Sequence, residues 1–328
     1  MNEGLPELDP QMAVEVLYRA MLGRGADPEG LAVFVKELKN GLSLNQIFDI
    51  LRASPEYALR YPTQSGDGQF SMKLCTVNEL QLHLPVNDWV YSNVINGLEQ
   101  SYEPHVVAVM RRLLRTGDIF LDVGANVGVH SCLGSQLVGE KGLVIAVEAS
   151  LANAMVLKKN ADEAPIQNIV IFPSPASNEV EILTFSDVTD CSNQYIIDDR
   201  RAGPAALLQT PTIRQIGVPL DLILGRMRRI NLIKIDVEGH ELSALKGLEK
   251  SIRESARPPI IAEYTKSAAS EGYAALLFSM GYGARIIDAT GKLGDNLKSV
   301  SDVESGFVPL TPEARHCDIL FSTAGSPA

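Results

Sequence analysis

DIFLDVGANVGVHS, Asp118 to Ser131, reads as a buried strand that runs into a glycine-turned loop and opens a helix. Ile119, Phe120, Leu121 and Val123 make the short apolar run of a parallel strand covered on both faces. Asp122 interrupts it. Gly124 and Gly128 lack a Cβ, which permits a sharp turn and a close approach of ligand to backbone. About twenty residues on, a second apolar run, Leu143 to Val147, ends at Glu148, where a carboxylate can accept hydrogen bonds from the two hydroxyls of a ribose. The local pattern is a cradle for a nucleotide-type cofactor.

The spacing narrows the choice of nucleotide. A dinucleotide fingerprint, G-x-G-x-x-G, sets a helix amino end against a pyrophosphate. Here the glycines stand as Gly124-x-x-x-Gly128, and Asp122 at the mouth of the loop would repel a pyrophosphate. The pattern suits a cofactor without phosphate that carries an ammonium and a sulfonium, which describes S-adenosyl-L-methionine. The bland alternative is an ordinary βα turn of another doubly wound protein.

The rest of the chain sets bounds on this reading. A length of 328 residues, 45% of them hydrophobic, allows about two domains with real cores. The net charge of −11, with no basic run interleaved with aromatics, argues against a nucleic-acid substrate. MNEGLPELDP at the start lacks the features of a signal peptide, and no apolar run reaches membrane-spanning length, so the expectation is a cytoplasmic protein without a membrane span. Cys75, Cys132, Cys191 and Cys317 are too scattered to suggest a zinc knuckle or a disulfide frame, and no metal is expected. A homo-oligomer is left open.

Before the cradle, residues 1–64 read as a small helical domain. Val14, Leu17, Tyr18, Met21 and Leu22 fall at helical spacing, Asp27-Pro28 starts a second helix that ends near Asn40-Gly41, and Ser43 caps a third with Leu44, Ile47, Phe48 and Leu51 as its stripe. Ser54-Pro55-Glu56 restarts a short helix with Tyr57. Tyr61 to Gly68 has the composition of a linker, so the second domain is assigned to 71–328. Its lead-in comprises a strand pair from Met72 to Val86 and a helix through Val106 to Leu114. After Glu148 come a helix capped by Ser150 and a third strand near Asn168 to Phe172. The polar stretch Asp187 to Ile216 is either a lid or a disordered excursion.

The pattern then recurs in INLIKIDVEGHELSALKGL, Ile230 to Leu248: an apolar strand, an acid, a glycine turn, and a helix buried through Leu242, Leu245, Leu248 and Ile252. PPIIAE, Pro258 to Glu263, is a fifth buried strand. Ligands of open α/β sheets bind at the carboxyl ends of strands, so Asp122, Glu148, Asp236 and Glu263 should line one edge.

Taken together, DVGANVG at Asp122 to Gly128, VIAVEAS at Val144 to Ser150, IKIDVEGHE at Ile233 to Glu241 and Lys246-Gly247 resemble the FkbM-type methyltransferases, from about Ser71 to Ser322. That resemblance implies a Rossmann-like, seven-stranded class I methyltransferase sheet with helices on both faces and an antiparallel last strand near Cys317 to Phe321. It also implies methyl transfer from S-adenosyl-L-methionine to a hydroxyl, often of a sugar, glycan precursor or secondary metabolite. YRAMLGRGADPEGL, from Tyr18, and ASPEY, from Ala53, resemble a small helical domain of unknown function found beside bacterial surface-glycan enzymes.

The candidate cofactor-binding residues are Asp122, Gly124, Asn126, Gly128, Glu148 and Asp236, and the candidate catalytic residues are Asp236, His240 and Glu238. Collinear placement of acceptor oxygen, methyl and sulfur is worth an effective molarity of roughly 10⁵ M or more. A positioned base adds about 10²–10⁴-fold. Asp236 and His240 are the candidate bases, against bland roles as acceptor of turn N–H groups and as an exposed first-turn residue. Glu238 is either an acceptor ligand or a solvated turn acid, Glu241 sits where an acid stabilises a helix amino end, and His130 either faces the site or packs. Asp236, Glu238, His240 and Glu263 as a divalent-cation set is the minority reading. Two rival functions share the sheet: a non-catalytic module in a glycan-synthesis assembly, and a nucleotide-dependent oxidoreductase.

Overall fold

A computed structural model describes residues 8–60, 71–86, 88, 90–186, 212–225, 227, 229–310 and 315–324. Its centre is a seven-stranded sheet. The strands are β3 (Ile119–Val123), β4 (Leu143–Val147), β5 (Ile169–Phe172), β8 (Leu232–Ile235), β9 (Ile260–Thr265), β10 (Gly283–Ile287) and β11 (His316–Ser322), in the order β10-β11-β9-β8-β3-β4-β5. β3, β4, β5, β8 and β9 pair in parallel, whereas β11 runs antiparallel to both β9 and β10. The expected seven strands, with the last one antiparallel, are what is found. Chain order reverses between β3 and β8, which puts the topological switch point, and the crevice that goes with it, at their carboxyl ends.

Alternate strand residues feed two cores. Ile119, Leu121 and Val123 face one, and Phe120, Val144 and Leu232 the other. On the second face lie the helices Pro104–Leu113, Val129–Val138 and Leu151–Glu163, with an outer hairpin of β1 (Met72–Val77) and β2 (Leu80–Pro85). The hairpin turn uses Asn78 and Glu79, both at positive φ. Asn160, 2% exposed, exchanges hydrogen bonds with the His83 backbone and donates to Val127 O at 2.9 Å, which ties hairpin and glycine loop together.

The amino-terminal segment forms α1 (Pro10–Leu22), α2 (Pro28–Lys39), α3 (Leu44–Arg52) and α4 (Pro55–Arg60), with Asp9, Asp27 and Ser43 capping as their side-chain chemistry dictates. Its packing departs from the expected separation. Leu17, Met21, Ile47, Phe48 and Tyr57 belong to the same core as Ile119, Leu121, Ile145 and Ile233 of the sheet. Asn45 completes the edge of β5: its Nδ2 donates to Ile169 O (2.7 Å), and Ile171 N donates to its Oδ1 (3.2 Å). The anticipated linker, 61–70, lies outside the described residues.

Two further expectations need correction. Within the stretch read as one loop, Thr212–Gly217 forms β7 and pairs with β6 (Glu181–Ser186), while 187–211 lie outside the described residues. The helix after the second motif is two helices, Glu241–Lys246 and Glu249–Glu254. Asp221 accounts for the break, because its carboxylate accepts from Lys250 N (3.0 Å) and Ser251 N (2.8 Å) and so caps the second piece separately. No described helix is long and apolar enough to cross a membrane.

Candidate active site

A cavity of about 350 Å³ opens over the carboxyl ends of β3, β4, β8 and β9. Gly124, Asn126, Glu148, Asp236, Glu238, His240 and Glu263 line it, so two motifs more than a hundred residues apart in sequence share one pocket. Gly124 is what permits that meeting. It sits at φ 83°, and a Cβ on it would lie 1.7 Å from the Asp236 carbonyl oxygen.

Glu148, 7% exposed, accepts from Asn126 N and from Ser150 N, both at 2.7 Å. The carboxylate therefore shapes the loop as well as facing the cavity. Each oxygen keeps a lone pair for a ligand hydroxyl. Burial pushes its pKa up to about 7, against the pull of those backbone donors.

Asp122 and Gly128 do not line the cavity. Asp122, 1% exposed, lies beneath the loop, where its Oδ2 accepts from Ser131 Oγ at 2.6 Å and burial raises its pKa. Gly128 turns the chain at φ 90° against Leu157, whose Cδ1 a Cβ would approach to 2.3 Å. Both act on the cradle from behind it.

Asp236 stands one residue beyond β8. Its Oδ2 accepts from Lys234 Nζ at 3.0 Å. The bland role considered for it, acceptor of the turn amides, is filled by Glu241, whose Oε1 accepts from Gly239 N (3.0 Å) and Val237 N (3.3 Å). Asp236 is thereby left free for the cavity. Glu238 sits at the exposed rim, at φ 52°. His240 is half-buried, burial lowers its pKa, and its Nε2 has no hydrogen-bond partner. Among the described residues no group of three or more His, Cys, Asp or Glu is arranged to hold a metal ion, so the cation set of Asp236, Glu238, His240 and Glu263 is not formed.

Sequence reasoning passed over Lys234, Tyr91, Tyr102, Glu103 and His316, all of which line the cavity, and left His130 undecided. Lys234 carried a signal, since a lysine inside the apolar run LIKI must find counter-charge when buried. It is 4% exposed and stands in register with Asp122 across the β3–β8 ladder. Burial works against its charge, and the carboxylates of Asp236, Glu103 and Asp122 more than offset this, so its pKa is raised. The Tyr91 and Tyr102 rings lie 4.9 Å apart between centroids at a tilt of 53°, and Tyr102 lies 5.9 Å from the His130 ring. Nothing in their local sequence marks them.

The donor set fits S-adenosylmethionine. Asn126 Oδ1, His130 Nε2, His240 Nε2 and Glu103 Oε2 are buried atoms without hydrogen-bond partners around the cavity, which is the mark of a polar site completed by a ligand. Glu148 could take ribose hydroxyls, and the surplus of carboxylates suits a cationic ligand.

Relatives of this chain include a protein-L-isoaspartate O-methyltransferase of Archaeoglobus fulgidus, 34% identical over 76 residues, or 23% of this chain and 35% of that protein. The hexuronic acid methyltransferase AglP of Haloferax volcanii is 26% identical over 151 residues, covering 46% of this chain and 58% of AglP. The chain thus spans about a third to three-fifths of the length of these relatives. Among solved structures, an S-adenosylmethionine-dependent methyltransferase from Aquifex aeolicus aligns at 17% identity with a TM-score of 0.37, over 66% of this chain and 87% of that one. The family model of the FkbM methyltransferase domain matches residues 122–291, which is more than half of the chain and holds both glycine-turn motifs. By that match, with S-adenosylmethionine as the cofactor it implies, the chain belongs to the FkbM methyltransferase family.

Proposed function

We propose that this protein is an S-adenosylmethionine-dependent O-methyltransferase that acts on a hydroxyl of a sugar, glycan precursor or related secondary metabolite. The observation that carries the reading is the meeting of Glu148 with Asp236 and His240 in one cavity: a ribose-type carboxylate at one end, groups able to handle an acceptor proton at the other. AglP, whose name records a sugar acid as its substrate, supports a sugar acceptor. The likeness of Tyr18 to Leu31 to a glycan-associated helical module points the same way.

When bound, the cofactor supplies an electrophilic methyl on a sulfonium. The chain's own residues do the rest. Glu148 and the Asn126 loop fix the nucleoside end, while Asp236 favours the cationic end. Asp236 has Oδ2 committed to Lys234, which leaves Oδ1 to accept from a neighbouring hydroxyl of the acceptor and so aim the reacting oxygen. His240, held neutral near pH 7 by its lowered pKa, takes the hydroxyl proton at Nε2. Orientation is the larger share of the rate gain.

The test is turnover on a panel of sugars and glycan precursors, read by mass spectrometry as the gain of one methylene. Asp236→Asn, nearly the same size, should keep S-adenosylhomocysteine binding and lose about 10²-fold or more in turnover. Methylation confined to protein side chains or nucleic acid, or full activity in Asp236→Asn, would overturn the proposal.

A further inference from the structure

The cavity has two chemically unlike halves. Beside β4 and β5 it is lined by Glu148, Ser150, Ser174 and Pro175. Beside β8, β9 and β11 it is lined by Lys234, Asp236, Glu238, Glu263 and His316, with Glu103 and His130 closing it from the helices. Four carboxylates there face one ammonium. Lys234 is the only lysine or arginine among the described lining residues, and Asp236 already holds it at 3.0 Å. His316 Nδ1 stands 3.9 Å from Glu263 Oε2, too far for a hydrogen bond. His130, 5% exposed, has Nε2 3.4 Å from Glu103 Oε2, yet neither atom has a hydrogen-bond partner. These two buried, unsatisfied atoms, one an acceptor and one able to donate or accept, call for a ligand that both donates and accepts. Glu103 and His316 lie outside the stretch that the family model matches, 122–291.

We propose that this half is the acceptor subsite and that it selects polyhydroxylated acceptors free of anionic groups, neutral or amine-bearing, with Glu263 and Glu103 turning away uronates and sugar phosphates. The inference rests on the methyltransferase reading above. Hydroxyls satisfy carboxylate and imidazole alike, because each can donate and accept at once. An ammonium gains from the surplus acid. A carboxylate or phosphate adds like charge to a wall whose single cation is already paired, and like-charge juxtaposition is a strong ground for rejecting a ligand. The crowding is visible in the acids themselves: burial foremost, with Asp236 and Glu238 adding to it, raises the pKa of Glu263, and burial raises that of Glu103.

The test uses matched probes on the intact chain saturated with S-adenosylhomocysteine: methyl glucoside, glucosamine, glucuronate and glucose 6-phosphate, with affinities from ligand-observed NMR at pH 7.5. Methyl glucoside and glucosamine should bind about tenfold or more tightly than the two anions. At pH 10, above the value of about 9 to which burial raises Glu263, Glu263→Gln should narrow that gap about threefold or more without changing S-adenosylhomocysteine affinity, and Glu103→Gln should narrow it at pH 7.5 as well. Anionic probes that bind as well as neutral ones, a gap unchanged in both variants, or no binding of any probe to the loaded protein would overturn the subsite. Failure of S-adenosylhomocysteine to bind the wild-type chain is a separate result, which removes the methyltransferase reading and the subsite with it.

Discussion

Lys234 Nζ donates to Asp236 Oδ2 at 3.0 Å, two residues apart along the end of β8, with the lysine side chain 5% exposed and the aspartate 24%. Both line the cavity, the lysine almost wholly buried and the aspartate more open to it. The ammonium also neutralises Glu103 and Asp122, so its removal would strand three carboxylates. Lys234→Met should therefore destabilise the fold by about 3–5 kcal/mol, the range for breaking a buried charge pair from one side. Asp236→Asn, whose amide oxygen still accepts from Lys234, should cost only about 1 kcal/mol. Urea unfolding of the two variants checks the order, and equal losses would contradict it.

The glycines of the first motif should differ in tolerance. Gly124→Ala puts a Cβ into the Asp236 carbonyl at a positive φ, and backbone cannot yield cheaply, so both stability and S-adenosylhomocysteine binding should collapse. Gly128→Ala meets the end of the Leu157 side chain, which can shift. It should lose about 1–2 kcal/mol from the left-handed backbone and retain measurable binding. Reversal of that ranking in thermal melts and titrations would show that the loop is not held by β8.

Glu148 predicts a pH signature. Its pKa in the fold is raised to about 7, above its ordinary value, so its contribution to stability is fully present at pH below the unfolded value and is lost as pH rises through 7. Relative to Glu148→Gln, the wild-type apo-protein should lose on the order of 3 kcal/mol between pH 4 and pH 8. Over the same range S-adenosylhomocysteine affinity should rise in wild type alone, since the ionised carboxylate is the better acceptor. A stability difference independent of pH would remove the burial argument.

The amino-terminal helices should be needed by the sheet. Asn45→Ala leaves Ile169 O and Ile171 N unpaired on the β5 edge and should cost about 1–3 kcal/mol. A chain that starts at Ser71 loses Leu17, Phe48 and Tyr57 from a shared core and should precipitate or unfold without cooperativity. A soluble truncation with full cofactor affinity would restore the independent domains anticipated from the linker composition.

What was legible in sequence follows periodicity and caps. The strands at Ile119, Leu143 and Leu232, the caps at Asp27 and Ser43, and the hairpin after Met72 rest on local patterns, and local forces built them. The shared core was not legible, because a stripe such as Leu44, Ile47, Phe48 and Leu51 states that a face is buried and not against what. In the site, Gly124, Asn126, Glu148, Asp236 and His240 were reached through spacing. Asp122, expected at the cavity edge from its place near a strand end, lies instead beneath the loop, bonded to Ser131. Tyr102, Glu103 and His316 come to the cavity through tertiary contacts alone.

The most direct measurement is calorimetric titration of S-adenosylhomocysteine into the wild-type chain and Glu148→Gln at pH 7.5, with melting temperatures recorded for both. The account predicts one site per chain in wild type, a rise in melting temperature on binding, and about tenfold or more weaker binding in Glu148→Gln while the variant remains folded. No binding to the wild-type chain, or equal affinity in a folded Glu148→Gln, would contradict it.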